Sequence, residues 1–325
     1  MVSLQYECAI ATKGFTRRRL YQTLALPAVQ SVAPVYLGLG KWKNPETLRD
    51  RDIFVIGVNP ADPSISLAGV AENVEHLKLE DALLFDLASR PEYGPIARRI
   101  TGGERLDTEL NTRKVHVRGL FRMGTSFAAD GNVIMSDLNF LRFFPNRPAG
   151  MIELGLIRLQ PGADPRVVRD QLQSALPEDV RILTRPEYLN IEHAYWGQRT
   201  PIGFVITAGL LIGFVVGSVI VYQILYTDVI DHLKEYATLK AIGYSDRFLF
   251  GVVLQQAVIL SVLGFFPGCL AAGGIFFLTR RITLLPAYLT MDRATLVFLL
   301  TLLMCSIAGA FAIRKLRSAD PADIF

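Results

Sequence analysis

The sequence predicts a membrane α-helical protein, with three transmembrane helices behind an N-terminal domain of mixed α/β character. Three observations carry that expectation. Charge is segregated: residues 1–200 hold 25 Lys+Arg and 23 Asp+Glu, whereas residues 201–325 hold 9 and 7. Three runs, about 202–226, 248–279 and 294–313, contain no charged residue, and about 20 apolar residues suffice to cross a hydrocarbon core about 30 Å thick. Ahead of them, short runs rich in Val, Ile and Phe alternate with helix-patterned stretches. At 51% hydrophobic residues, the whole chain is richer in apolar side chains than an ordinary soluble domain.

The sequence places the α/β domain at 1–186 and the membrane part at 187–325. RDIFVIGVNP (51–60) reads as a strand ending in turn residues, and KVHVRGLFRMG (114–124) as a second. GNVIMSDLNFLRFF (131–144) reads as a strand followed by a helix capped at Ser136 or Asp137. From 151 to 184 a strand runs to Leu159, and PGAD turns. Asp164 then caps a helix with Pro165 at its first position. Val167, Val168, Leu172 and Ala175 form that helix's expected apolar stripe, Pro177 ends it, and DVRILT (179–184) is a further strand. After Pro186 an amphipathic helix leads to the membrane, with Tyr195 and Trp196 suited to the interfacial belt.

In the membrane part, Gly209, Gly213 and Gly217 form two overlapping GxxxG units, a spacing that lets helices approach closely in lipid. The partner helix can lie in this chain or in a second copy. Pro267 removes a backbone donor from the long second run, where a kink or tilt is expected. The charged stretch 227–247 between the first two runs reads as a short amphipathic helix continuing from, or bent off, the first run. Thr227 or Asp228 would cap its start, Ile230, Leu233, Ala237 and Tyr244 would share one stripe, and Gly243 would close it in a left-handed conformation. A plain solvated connector, or a helix resting on lipid, is the alternative. If 227–247 and the tail face the cytoplasm, the inside carries six Lys/Arg and the short outer loop three, so residues 1–200 fall outside. The first residues show no apolar signal-peptide core, so either the domain is cytoplasmic or an upstream membrane helix is missing from this stretch of sequence.

The motifs of several function classes are missing. There is no GxxxxGK[ST], HExxH or GxSxG, and the four histidines are scattered. Cys8, Cys269 and Cys305 match no metal or disulfide spacing. Arg17-Arg18-Arg19 reads more simply as a solvated helix face than as a phosphate patch, and no basic stripe interleaved with aromatics points to nucleic acid. The sequence therefore predicts no cofactor, no metal site and no catalytic residue. The three runs also lack the intramembrane charges typical of ion-coupled carriers; Gln223, Gln255 and Gln256 are their strongest polar groups, suited to helix–helix hydrogen bonding.

EYATLKAIGYSDRFLFGVV (235–253) resembles the signature of FtsX/MacB-type ABC transporter permeases, and RKLRSADPADIF (314–325) resembles their ending. SRPEYGPIA (89–97), ADGNVIMSDLNFLRFFP (129–145) and VYQILYTDVIDHLKEYATLKAIGY (221–244) resemble, in order, DevC-type permeases. The resemblance runs from about Gly14 to Phe325. It implies a multi-pass protein of the plasma (inner) membrane, with an extracytoplasmic α/β domain between a first helix, absent from this stretch of sequence, and the three seen here. It implies partners: an ABC ATPase subunit that hydrolyses ATP in this chain's stead, a second permease copy, a periplasmic membrane-fusion adaptor, an outer-membrane channel and the lipid bilayer. It implies that 227–247 is the ATPase-coupling loop, with His232, Lys234, Glu235, Tyr236, Lys240, Gly243 and Tyr244 as candidate coupling residues. The implied activity is export of lipid, glycolipid or a similar amphiphile. A lipoprotein-release or cell-division permease of the same superfamily is the first alternative, a membrane-anchored scaffold or sensor the second.

Overall fold

The computed structural model describes the chain except residues 12, 63–66, 127–128, 149, 285–287 and 318–325, and gives backbone alone at 246 and 312–317. Most of the tail whose ending carries a resemblance thus lies outside the described residues. The architecture has the expected class: a mixed α/β unit followed by three long apolar helices. The two units divide between Thr200 and Pro201, later in the chain than the boundary expected after Pro186.

The first unit opens with β1 (Val2–Ser3), β2 (Phe15–Thr16) and α1 (Arg17–Gln22). The long antiparallel pair β3 (Val29–Lys43) and β4 (Asp50–Val58) follows. Then come α2 (Val74–Leu77), β5 (Ala82–Asp86), α3 (Ile96–Thr101), β6 (Leu106–Leu110), β7 (Arg113–Phe121), β8 (Asn132–Ser136) and α4 (Asp137–Phe143). The unit closes with β9 (Met151–Ile152), β10 (Leu154–Leu159), α5 (Pro165–Ala175), β11 (Val180–Arg181) and α6 (Arg185–Ala194). Among the described residues nine strands form one sheet, in the order β11-β1-β10-β3-β4-β8-β5-β7-β6. β4–β8 and β5–β7 are parallel. Trp42 of β3 also pairs with Leu110 of β6, so β3, β4, β8, β5, β7 and β6 close on themselves.

Both faces of β4 are buried. Ile53 and Val55 join the core around Trp42, Phe85 and Phe140, while Phe54, Ile56 and Val58 join a second core with Leu37, Leu84 and Ile134. A strand covered on both sides needs no polar alternation, which explains its uninterrupted apolar run. α4 lies against β4: a Cβ at Gly57 would come within 2.6 Å of Phe140. Ser136 caps α4, accepting from Asn139 N at 3.2 Å, and Asp164 caps α5, accepting from Arg166 N at 2.8 Å, both as expected.

Two of the stretches carrying the resemblance serve this packing. Tyr93 donates its hydroxyl to the Asp52 carbonyl at 2.5 Å, and its own carbonyl accepts from Trp42 Nε1 at 3.1 Å. A Cβ at Gly131 would collide with its ring at 2.6 Å. SRPEYGPIA and ADGNV therefore meet face to face. Nearby, the buried Asp86 carboxylate accepts from Met123 N, Gly124 N and Asn132 Nδ2.

Three expectations need correction. The buried face of α5 is Val168 and Leu172, continued by Leu176, while Val167 and Ala175 are exposed; a stripe of period four fits the sheet better than one including Val167. The strand expected over 179–184 is only Val180–Arg181. α6 begins at Arg185 behind Thr184, whose N–H donates to Glu187 Oε2 at 2.8 Å in a capping box. α6 stays with the first unit because Tyr6 donates to the Tyr188 hydroxyl at 2.8 Å and Ala9 N donates to Glu192 Oε1 at 2.9 Å. The Arg17-Arg18-Arg19 run is partly engaged: Arg17 lies 5.6 Å from the Tyr21 ring centroid, and Arg19 pairs with Asp179 at 2.8 Å.

The second unit comprises α7 (Pro201–Asp231), α8 (Leu233–Ala241), α9 (Asp246–Thr283) and α10 (Met291–Arg317). α7, α9 and α10 contain stretches long and apolar enough to cross a membrane. Each helix continues past its charge-free run. Pro267 sits inside α9 without ending it. α10 packs against both others, where Leu225, Ala257, Cys305 and Ala308 form a buried cluster. A Cβ at Gly309 would stand 3.4 Å from Ala257 Cβ and 3.6 Å from Leu225 Cδ1, so this glycine marks the tightest described approach among the three helices' glycines. Cys305 is buried and Cys269 half-buried, both free thiols.

Candidate functional site, the α7–α8–α9 hairpin

The charged segment 227–247 does not begin a new helix at Thr227 or Asp228. α7 carries straight on to Asp231, because nothing in Thr227–Asp231 breaks its hydrogen-bond ladder. The break falls at His232 (φ −99°, ψ 14°), and α8 starts at Leu233. His232 Nδ1 lies 3.0 Å from the Asp228 carbonyl. Its hydrogen bond to that carbonyl, with Glu235 and the acidic groups of Asp228 and Asp231 nearby, raises its pKa above the ordinary 6.5. The end of α8 is as expected. Gly243 has φ 106°, its N–H donates to Lys240 O, and Tyr244 N–H donates to Leu239 O, both at 3.1 Å. That pair of bonds is a Schellman turn, for which the left-handed glycine is the natural closing residue.

The interruption at His232 resets the helical phase, so the expected stripe does not form. Ile230 and Tyr244 are exposed and Leu233 is half-buried. The buried face is Val229, Tyr236 and Ala237, and Val229 and Tyr236 pack with Leu249 and Val253 of α9. Burial, then the charges of Asp228 and Glu235, raise the Tyr236 pKa. One polar bond crosses this apolar floor: Gln256 Nε2 of α9 donates to Asp228 Oδ2 of α7 at 2.8 Å.

Of the candidate coupling residues, His232, Lys234, Glu235, Gly243 and Tyr244 are exposed and Lys240 is half-buried. Tyr236 points inward at 6% exposure. The Tyr244 ring packs against Phe248 at a tilt of 37°, with centroids 4.7 Å apart. The glycine stripe lies elsewhere. A Cβ at Gly209 or Gly213 would meet nothing within 4 Å, and one at Gly217 would lie 3.5 Å from Met304 Sδ. Sequence reasoning named Gln256 as a helix–helix hydrogen-bonding residue but missed Val229, Asp228 as the partner of Gln256, and Gly309. The first two depend on which faces of α7 and α9 meet, and that information is in no local pattern.

The family described as FtsX-like permease C-terminal matches residues 205–321. Two uncharacterized ABC transporter permeases of Mycobacterium tuberculosis, MT0078 and Rv0072, are each 24% identical over 241 residues, or 73% of this chain and 62% of theirs. The chain thus spans less than two thirds of the length of these relatives. Among solved structures, the extracellular domain of the noncanonic ABC-type transporter YknZ from Gram-positive bacteria aligns with a TM-score of 0.38 and 12% identity, covering 53% of this chain and 90% of that one. The periplasmic region of MacB from Actinobacillus actinomycetemcomitans aligns with a TM-score of 0.33 and 11% identity, covering 50% and 74%. The helical part of the chain, with the α8 hairpin at its first turn, matches the FtsX-like permease C-terminal model, in a sequence similar to two ABC transporter permeases.

Proposed function

We propose that the chain is the permease subunit of an ABC-type exporter, of the DevC type, sitting in the inner membrane as a multi-pass protein. Separate ATP-hydrolysing subunits press on α8, and the helices pass that motion to the N-terminal domain on the extracytoplasmic side. A second copy of the permease, a periplasmic adaptor and an outer-membrane channel complete the assembly, and the cargo is a lipid, glycolipid or similar amphiphile. The supporting observation is α8 itself: a short helix with charged side chains outward, Tyr236 and Ala237 inward and a closed Schellman end. It sits on the first turn between two apolar helices within the matched region. The charge-free runs 202–226, 248–279 and 294–313 suit a transmitter of force better than a charge-lined pathway.

The test is a photo-crosslinker at Glu235 in cells, together with Glu235→Arg and Gly243→Pro. Crosslinks to an ABC ATPase are expected, with both variants assembled in the membrane but losing transport and the permease's effect on ATP turnover. Gly243→Pro removes the N–H that donates to Lys240 O and forbids φ 106°. Crosslinks to extracytoplasmic proteins, or wild-type behaviour of both variants, would overturn the reading.

A further inference from the structure

α8 is joined to α7 through one residue, His232, whose N–H donates to Asp228 O and whose carbonyl accepts from Tyr236 N, both at 3.1 Å, but whose φ −99° and ψ 14° depart from the helix and whose side chain caps nothing on α8. A nine-residue helix is too short to hold its own direction. Something else must fix its angle. The apolar contact of Tyr236 with Val229, Leu249 and Val253 sets its distance from α9 but is tolerant of sliding. The directional element is the Asp228–Gln256 bond at 2.8 Å, one turn before the break and directly beneath Tyr236. The Gln256 amide also hydrogen-bonds the Tyr236 side chain of α8, so it bridges α7, α8 and α9. Its Oε1 is buried and has no hydrogen-bond partner, an arrangement that lowers the net gain from burying the group.

Resting on the coupling role proposed for α8, we propose that Asp228 and Gln256 are positioning residues: a latch that ties the root of the hairpin to α9, so that a push on α8 moves α7 and α9 together. Without it, the push is absorbed by bending at His232. The orphaned Oε1 gives a variant that strengthens the latch. Asn at 228 offers an acceptor for Nε2 and a donor for Oε1, converting one bond into a reciprocal amide pair. Leu at 256 keeps the bulk and removes the bond.

The experiment uses the full chain in lipid nanodiscs, alone and with its co-purifying ATPase. Hydrogen exchange of the α8 amides is read first. Gln256→Leu should speed it about tenfold, as local opening becomes easier, while the β4 and β8 amides are unchanged. Asp228→Asn should exchange at the wild-type rate or more slowly. With the ATPase present, Gln256→Leu should keep the partner bound while the permease's effect on ATP turnover falls about fivefold, and Asp228→Asn should retain that effect. Rescue by the conservative variant separates a latch from bulk packing. Exchange of Gln256→Leu within about twofold of wild type, or an Asp228→Asn variant as loose as Gln256→Leu, overturns the latch. If no ATPase co-purifies with the wild type, the coupling function fails, and the exchange measurements still decide on the latch.

Discussion

Glu153 is the most consequential single carboxylate of the N-terminal unit. It is 3% exposed, pairs with Arg147 through Oε1 and accepts from Leu37 N through Oε2 at 3.0 Å. Arg147 in turn donates to the Leu37 carbonyl at 2.9 Å and lies 5.1 Å from the Phe140 ring centroid; burial lowers its pKa. The pair thus completes the hydrogen bonding of β3 where β10 begins. Removing one member leaves the other's charge stranded, which costs about 3–5 kcal/mol in comparable sites. Glu153→Ala should therefore lower the stability of this unit by about that amount, read as a shift in the denaturant midpoint of Trp fluorescence. None of this was legible in the sequence. Glu153 reads there as an ordinary outward residue of a strand, and Arg147 lies across a turn from it. Ser136 and Asp164, by contrast, were legible, because a cap is decided by the three or four residues that follow it.

At the scale of elements, legibility followed how local the determinants are. β4, β7, β8, α4 and α5 declare themselves by run, alternation and cap. β3 does not: VQSVAPVYLGLGKWK carries Pro34, Gly38 and Gly40, which read as breakers. The reason for the glycines is tertiary, since a Cβ at Gly38 would press on Phe144 at 3.1 Å and one at Gly40 on Leu110 at 2.7 Å. The hairpin was legible in existence and in its closing Gly243, but not in its phase, because the break at His232 moves every later side chain round the axis. That break carries a pH prediction. The folded pKa of His232 lies above its unfolded 6.5, so between the two values the folded hairpin binds more protons. The stabilisation is complete below pH 6.5 and fades as pH rises through the folded value. Protection of α8 amides, normalised to unstructured-peptide rates at each pH, should decline across that window, and His232→Gln should abolish the decline.

Over the whole molecule, the three long helices use their small residues in two different ways, and the difference separates what holds one copy together from what is left for contacts outside it. Gly309 lies within 4 Å of Ala257, Leu225 and Val253 when given a Cβ, so it belongs to the packing of α10 on α7 and α9. Gly209 and Gly213 have no neighbour at all within that distance, although their spacing is the one that brings helices together in lipid. A leucine at Gly309 must displace the three-helix packing, an overpacking that costs about 1–3 kcal/mol. A leucine at Gly213 displaces nothing inside the chain. In matched nanodiscs, Gly309→Leu should lower the thermal midpoint of the helical unit, whereas Gly213→Leu should melt as wild type. If the proposed second copy docks on this face, the crosslinked dimer fraction should fall about fivefold in Gly213→Leu, because the added bulk blocks the close approach that a GxxxG contact needs. Because Gly213→Leu leaves the monomer intact, that loss can be assigned to the interface alone. An unchanged dimer fraction would place any second copy on another face of the helices.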